Sequence, residues 1–493
     1  MTSLLRPPEN CWRVERADAF SVIVDADDYF AAAREAMMKA ERSILLIGWD
    51  FDARTVFGHP DVDDGAPRKI GNFILWLARR NRDLQIRLLL WNPGAVTSIF
   101  KGSTLLYLLR WKWHRQITVR LDNRHPVGGS HHQKILVIDD RIAFCGGIDV
   151  TLDRWDTRDH RDADPHRVRP NGTPYGPWHD ASAMCTGDAA RALGDLGRLR
   201  WKSAGGEVLE PVSVPDQGLP KEQGFSFGPA TIGIARSSPR YNGNEPVLEI
   251  ERLYIDMIMA AKRMIYAESQ YFASRRVAQA LARRLSEPDP PEIVLINPIE
   301  ADNWLGSLAM DTARARLHES LRRHDPQKRF RIYHPVTAAG QMIYVHSKLM
   351  IVDDRLLRVG SSNLNNRSMR FDNECDLALD AADDPTGTIG ARIADFRKDL
   401  LAEHLGVSPE QVAEVLADTG SLIETVERLR RPAPTGEHST LVPYQVPENS
   451  GLAEWLADNE ILDPDGPEEV FEPIEKRGLF RGRLKMPFRR NKG

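Results

Sequence analysis

With 493 residues, 42% of them hydrophobic and 28% charged, the chain is too long for one small core and has the make-up of a globular protein of two or three domains. Its net charge of −4 excludes a global basic field for nucleic acid and leaves room only for a local patch. The four cysteines, Cys11, Cys145, Cys185 and Cys375, are scattered and form no C-x-x-C pair, which argues against a disulfide framework or a cysteine zinc site and for buried, reduced thiols.

The opening residues, MTSLLRPPENCWRVERADAF, contain no apolar h-region. The apolar runs ILLIG (44–48) and IRLLLW (86–91) are far too short to span a bilayer. The expectation is a cytoplasmic or peripheral membrane protein, with export open only by a route that leaves no such signal. AAAREAMMKA (31–40) reads as an amphipathic helix feeding a buried strand in ERSILLIGWDF (41–51). IRLLLWNPG (86–94) reads as a strand closed by an Asn-Pro turn, and TVRLDNRHP (118–126) and HHQKILVIDDRIAFCGGIDV (131–150) follow. The series is then written a second time. YIDMIMAA (254–261), KRMIYAESQYF (262–272), EIVLINPIE (292–300), RIYHPV (331–336) and VHSKLMIVDDRLLRVGSSNLN (345–365) come in the same order.

Correspondence in order argues for duplication and fusion, and the alternation of strands with helical stretches gives an α/β class. The first repeat spans 15–205, a Gly/Pro-rich connector 206–230, and the second repeat 231–406. A C-terminal helix over 407–431 opens with a capping box, Ser408 as N-cap and Gln411 at N3. From Pro432 the chain turns Pro- and acid-rich, which predicts loose packing. Its last eighteen residues, KRGLFRGRLKMPFRRNKG (476–493), carry eight Lys/Arg and no acid, interleaved with apolar side chains. Such a tail suits an anionic lipid surface, or else a solvated, disordered end.

The chemistry is concentrated in a motif that occurs once per repeat, H-x-K-x-x-x-x-D: His132, Lys134 and Asp139, then His346, Lys348 and Asp353. Apolar, β-branched runs follow each histidine, so the motif is expected on a strand entering the core. There, residues i and i+2 face one side, and each histidine points with its lysine. A lone histidine on a strand is more often structural; two matching pairs in matching positions reverse that reading. Facing units would place four groups around one phosphate. One imidazole would attack phosphorus to give a phosphohistidine, and the other would protonate the leaving alcohol and then deprotonate water. The lysines would stabilise charge on the non-bridging oxygens. The two histidines would need opposite protonation states at the start. Asp139 and Asp353 read as anchors for a loop or a lysine. GGID and GSSN occupy equivalent places downstream, where small residues such as Gly147 and Ser361 would let backbone amides, with Asp149 or Asn363, reach the phosphate. PWHD and DNE supply Asp180 and Glu374 as candidates for orienting the imidazoles. No metal-ligand cluster is evident and the scheme calls for no metal or other cofactor.

At these residues the chain resembles the phospholipase D superfamily. The doubled H-x-K-x-x-x-x-D, the GGIDVTLDRWDT…PWHD and VGSSNLNNRSM…DNE blocks, AESQYF with Ser269 in place of the usual Asn, and FRKDLLAEHLG (396–406) all resemble it, over roughly residues 20–406. The resemblance implies two α/β/α sandwich domains related by a pseudo-twofold axis, with the active site at their interface. It implies His132 as nucleophile and His346 as general acid/base. Lys134, Lys348 and Asn363 would bind phosphate, and Asp180 and Glu374 would orient the histidines. Asp149 stands where several members have Asn, and a charged aspartate would repel the anion. Trp49 and Gln270 hold equivalent repeat positions at the pocket. The likeness is greater to phosphatidylcholine-cleaving members, which implies release of phosphatidic acid and a head-group alcohol at a phospholipid membrane surface. Water or an alcohol would be the acceptor, and no oligomer is required because both motifs lie in one chain. A cardiolipin synthase-like phosphatidyltransferase, a phosphodiesterase-type nuclease and a non-catalytic binding module stay open as other readings. The net charge gives little counterion-release drive for the nuclease.

Overall fold

The computed structural model describes residues 2–91, 104–215, 223–300, 310–434 and 436–446. The Asn-Pro turn after residue 91, part of the connector and the basic tail lie outside the described residues. The first half of the chain lays down β1 (Arg13–Val24), α1 (Ala26–Met38), β2 (Ser43–Gly48), α2 (Ile70–Arg80), β3 (Gln85–Trp91), α3 (Thr104–Lys112), β4 (Ile117–Asp122), β5 (Ile135–Ile138), β6 (Ile142–Gly146), β7 (Trp178–His179), β8 (Ala181–Thr186) and α4 (Asp188–Ser203). The second half gives β9 (Phe225–Ser238), β10 (Val247–Leu248), α5 (Glu249–Ala260), β11 (Met264–Glu268), α6 (Arg275–Leu285), β12 (Glu292–Ile296), α7 (Thr312–His324), β13 (Phe330–Val336), β14 (Tyr344–Val345), β15 (Leu349–Val352), β16 (Leu356–Gly360), α8 (Asn366–Arg370), β17 (Glu374–Asp380), α9 (Thr388–Leu405), α10 (Pro409–Thr419), α11 (Leu422–Leu429) and β18 (Thr440–Pro443).

Each half builds the same seven strands. The order β4-β3-β2-β5-β6-β8-β1 is matched by β13-β12-β11-β15-β16-β17-β9. In both, the first three strands are parallel and the rest antiparallel. The halves meet where β1 runs antiparallel to β9, so the two units form one continuous sheet about a pseudo-twofold. Helices cover both faces, and this explains why the inner strands read as unbroken apolar runs: all four residues of β5 and of β15 are buried. The helices bury single stripes. In α2 the stripe runs through Ile70, Phe73, Ile74, Leu77 and Ala78, widened by the buried Gly71 and Leu75, with Arg79 and Arg80 closing the last turn.

One core is shared by the two halves. It packs α4 and α9 against strands of both units, while α1 and α2 cover the other face of the first unit and α5, α6 and α7 that of the second. All four cysteines are buried and unpaired. The chain departs from its sequence reading at three boundaries. The connector 206–230 already contains the start of β9, because FSFGPA pairs with β1. The helix expected over 407–431 is two helices: Gly420 adopts φ 62° and ends α10, and Ser421 then caps α11 by accepting from Glu424 N. Its capping box at Ser408 and Gln411 forms in both directions. Beyond Pro432, Thr440–Pro443 is not loose but pairs with β13 at the sheet edge, where Leu441 is fully buried.

Candidate active site

Each motif histidine lies in the extended lead-in to a strand, just before β5 or close behind β14, and is fixed by the opposite half of the molecule. His132 N donates to Asn373 O at 2.9 Å, and the next residue, Glu374, brings its carboxylate to His132 Nδ1 at 3.0 and 3.1 Å. The other side repeats this. β14 runs parallel to β7, His346 N donates to His179 O at 2.7 Å, and the next residue, Asp180, places Oδ2 2.7 Å from His346 Nδ1. The imidazole of each repeat is therefore held by the acid of the other. With Nδ1–H given to a carboxylate, Nε2 keeps its lone pair and faces away from the acid.

The residue between histidine and lysine turns the other way. Gln133 donates to Glu374 O, and Ser347 donates to Glu268. Lys134 and Lys348 bend back onto the carbonyls of His132 and His346. The motif acids are anchors for loops and not for the lysines: Asp139 accepts from the amides of Glu41, Arg42 and Ser43, and Asp353 from those of Lys262, Arg263 and Met264.

The site is buried and electropositive. Burial, then Lys134 and Lys348, push the His132 imidazole well below its usual range. Burial, then Lys348, Arg154 and Lys134, do the same to His346. Each imidazole thus feels the lysines of both halves, as groups converging on one cleft must. Both shifts favour the neutral imidazole, whereas the sequence reading calls for opposite protonation states at the start. Burial also pushes Lys348 down to about 7 and Glu374 up to about 7, with Asp180 opposing the first shift and Ser361 the second.

Several phosphate contacts expected from the sequence are otherwise engaged. Gly147 N donates to Ala181 O and Ser361 N to Cys375 O, so neither amide is free for an anion. The small residue at 147 serves a different need: a Cβ there would lie 2.1 Å from Asp180 Oδ1. Ser361 Oγ donates to Glu374 Oε2 at 2.6 Å and its carbonyl lies 3.1 Å from His132 Nδ1, so Ser361 orients the acid–imidazole pair. Asp149 accepts from Trp49 N at 3.0 Å and pairs with Lys134 Nζ at 3.2 Å, which turns its charge toward a cation and away from an incoming anion. Asn363, the equivalent residue, lies 3.5 Å from Gln270 Oε1 through Nδ2. Trp49 meets His132 edge-on at 5.9 Å and stacks on Trp91, and Gln270 donates to Tyr344.

Sequence reasoning missed Trp178, Tyr344 and Arg154. Trp178 stacks on Tyr344 with centroids 4.6 Å apart and lies 5.1 Å from His346, and the Arg154 guanidinium covers the Trp178 ring at 4.1 Å. Tyr344 carried a signal, since it stands two residues before His346 and shares its side of an extended segment. Arg154 carried none, being one arginine among many in a loop.

The family model for phospholipase D matches residues 308–434. Phospholipase D A of Dictyostelium discoideum is 27% identical over 481 residues, covering 81% of this chain and 37% of that protein. Phospholipase D alpha 2 of Oryza sativa subsp. japonica is 27% identical over 440 residues, covering 66% and 52%. Phospholipase D1 of Saccharomyces cerevisiae is 24% identical over 503 residues, covering 79% and 29%. The chain thus spans between 29% and 52% of the length of these three relatives. Among solved structures, the phosphatidylserine synthase of Haemophilus influenzae Rd KW20 shares the fold with a TM-score of 0.51 at 14% identity, covering 84% of this chain and 94% of that one.

Proposed function

We propose that the chain is a phospholipase D superfamily enzyme, a reading supported by its likeness to the family model over residues 308–434 and to relatives 27% identical, and that it hydrolyses a phospholipid phosphodiester to phosphatidic acid and a free alcohol through a covalent phosphohistidine. The observation that carries this reading is the crossed pairing, His132 with Glu374 and His346 with Asp180, around a cleft shared by Lys134 and Lys348. A phosphodiester anion entering that cleft offsets the lysine charges that keep both imidazoles neutral, so His346 can take up the proton it must later give. His132 Nε2 attacks phosphorus, the P–O bond to the head group breaks, and the alcohol leaves with the proton from His346. Water then gives a proton to His346 and attacks phosphorus, the P–N bond breaks, and His132 is released with phosphatidic acid. Lys134, Lys348 and Arg154 stabilise the oxygens that carry charge through both steps. A primary alcohol can replace water in the second step and yield a transphosphatidylation product.

A lipid surface is the partner that suits the exterior. On α3, Leu105, Leu106 and Leu109 are exposed, and Trp113 just beyond it is 88% exposed, flanked by the exposed Arg110, Lys112 and Arg115. Apolar side chains among cations fit an anionic interface, as does the basic segment 476–493. Among the described residues no helix is long and apolar enough to cross a membrane.

The test is the release of labelled head group from phosphatidylcholine vesicles, with plasmid DNA as the competing substrate and with and without a primary alcohol. Head-group release, with phosphatidyl-alcohol formed when alcohol is present, is the expected result. Cleavage of DNA with intact vesicles would replace the reading by a nuclease.

A further inference from the structure

Behind the phosphate cleft lies a second constellation that the reaction does not use. Asp25 follows β1, His160 lies in the loop before β7, His179 is on β7 and Glu403 is in the last turn of α9. One ligand atom from each lies within 4.8 Å of all the others. His160 Nε2 is 3.2 Å from Glu403 Oε1 and 3.6 Å from Asp25 Oδ2. His179 Nδ1 is 2.7 Å from Glu403 Oε1 and 3.5 Å from Asp25 Oδ1. A tetrahedron with metal–ligand bonds of about 2.0–2.2 Å has edges of about 3.3–3.6 Å, which is the scale of this set.

The surroundings are those of a ligand cage. Asp25 Oδ2 is buried and makes no hydrogen bond among the described residues, and His179 Nδ1 is buried with Glu403 Oε1 as its near neighbour. Each histidine has its other nitrogen held by a carboxylate, His160 Nδ1 by Asp156 Oδ2 at 3.0 Å and His179 Nε2 by Glu268 Oε2 at 2.8 Å. Without a metal, carboxylates on both sides of each ring favour the protonated imidazoles; a bound cation would displace the inner proton and take that nitrogen's lone pair, with the outer N–H still held. Arg158 holds the second oxygen of Glu403, and Arg167 pairs with Asp156. A cleft of about 500 Å³, lined by Arg158, His160 and Glu403, opens to the surface and offers a way in.

We propose that Asp25, His160, His179 and Glu403 bind one divalent transition-metal ion, with Zn²⁺ the ion that two imidazoles and two carboxylates fit. The two carboxylates neutralise the ion, and no open position is left for a substrate, so the metal is structural. It would brace the catalytic centre from behind: Asp25 Oδ1 accepts from Asp180 N at 3.0 Å, Asp180 O accepts from Asp25 N at 2.7 Å, and Asp180 holds His346. The site stands apart from the phosphoryl-transfer reading, because neither the fold nor the cage depends on which bond the cleft cleaves.

The full chain, produced in zinc-supplemented medium and washed free of loose metal, is measured by plasma mass spectrometry and zinc-edge X-ray absorption. About one zinc per chain, with a nitrogen and oxygen shell at about 2.0–2.2 Å and no sulfur, is expected. His160→Ala and Glu403→Gln should each reduce the bound zinc severalfold. To separate metal loss from misfolding, wild-type chain is unfolded with chelator and refolded with and without zinc alone, and added zinc should raise the Tm. A folded wild-type chain that holds no metal and whose Tm ignores zinc would overturn the site, since protonated imidazoles would then balance the carboxylates. Zinc retained undiminished in His160→Ala, or ligated by sulfur, would place the metal elsewhere and overturn it equally. Stoichiometric iron or manganese in the same shell would overturn the choice of ion.

Discussion

His132 and His346 are each backed by a buried carboxylate, and burial with the neighbouring lysines pushes both imidazoles below their usual range, so their roles are told apart by the face of the phosphorus each meets. His132→Ala is expected to lower turnover about 10⁴-fold or more. His346→Ala should still let a substrate with a good leaving group phosphorylate His132, because only proton transfer to a poor leaving alcohol is lost. Peptide mapping of an acid-labile phosphoryl label checks both, and label on His346 would reverse the assignment. Lys348 is pushed down to about 7, so in the free enzyme its positive charge is present below that pH and lost above it. Affinity for an anionic substrate should fall as pH rises through about 7, giving kcat/KM an alkaline limb. Lys348→Arg should flatten that limb, since guanidinium stays charged, even where the maximal rate is lower. The His-Lys pairs could be read from the sequence because their spacing repeats. The turn of Asp149 toward Lys134 and Trp49 could not, because aspartate's role depends on where its oxygens point.

At the scale of the element, the short parallel ribbon of β7 and β14 carries Trp178, His179, Tyr344 and Val345 and delivers Asp180 to His346. Gly147 permits that delivery through its lack of a side chain. Gly147→Ala would put a methyl group 2.1 Å from Asp180 Oδ1. Relieving that contact displaces the carboxylate by about 1 Å, which predicts a loss of turnover of about 10²-fold, with secondary structure preserved by circular dichroism. The apolar strands were legible because burial on both faces makes them continuous runs. The ribbon was not, since two residues of pairing leave no periodicity. β18 was hidden for a similar reason: four residues in a Pro-rich setting show nothing of the sheet edge they join. The break between α10 and α11 turned on Gly420, whose sequence signal was present and was read through.

Over the whole molecule, the repeat predicted the pseudo-twofold, and composition predicted a globular core. The fusion of both units into one sheet through β1 and β9 was not predictable, because neither strand carries a motif. Replacing Leu106 and Trp113 by Ser should weaken binding to anionic vesicles severalfold and leave turnover of a short-chain, monomeric substrate unchanged. Vesicle co-sedimentation beside a soluble assay checks it, and unchanged sedimentation would remove α3 from the interface. Deleting residues 476–493 tests the basic segment in the same way.

The crossing of Glu374 to His132 and of Asp180 to His346 bears on ancestry. A single-copy forerunner built this way would have owned a histidine without its acid, and would have worked only when two copies met. Its rate per chain would then have declined on dilution below the dissociation constant of the pair. Joining the copies end to end frees catalysis from protein concentration, and it also ties the two sequences together. Each is now free to specialise for attack or for proton transfer, but neither can lose its carboxylate without silencing the other's imidazole.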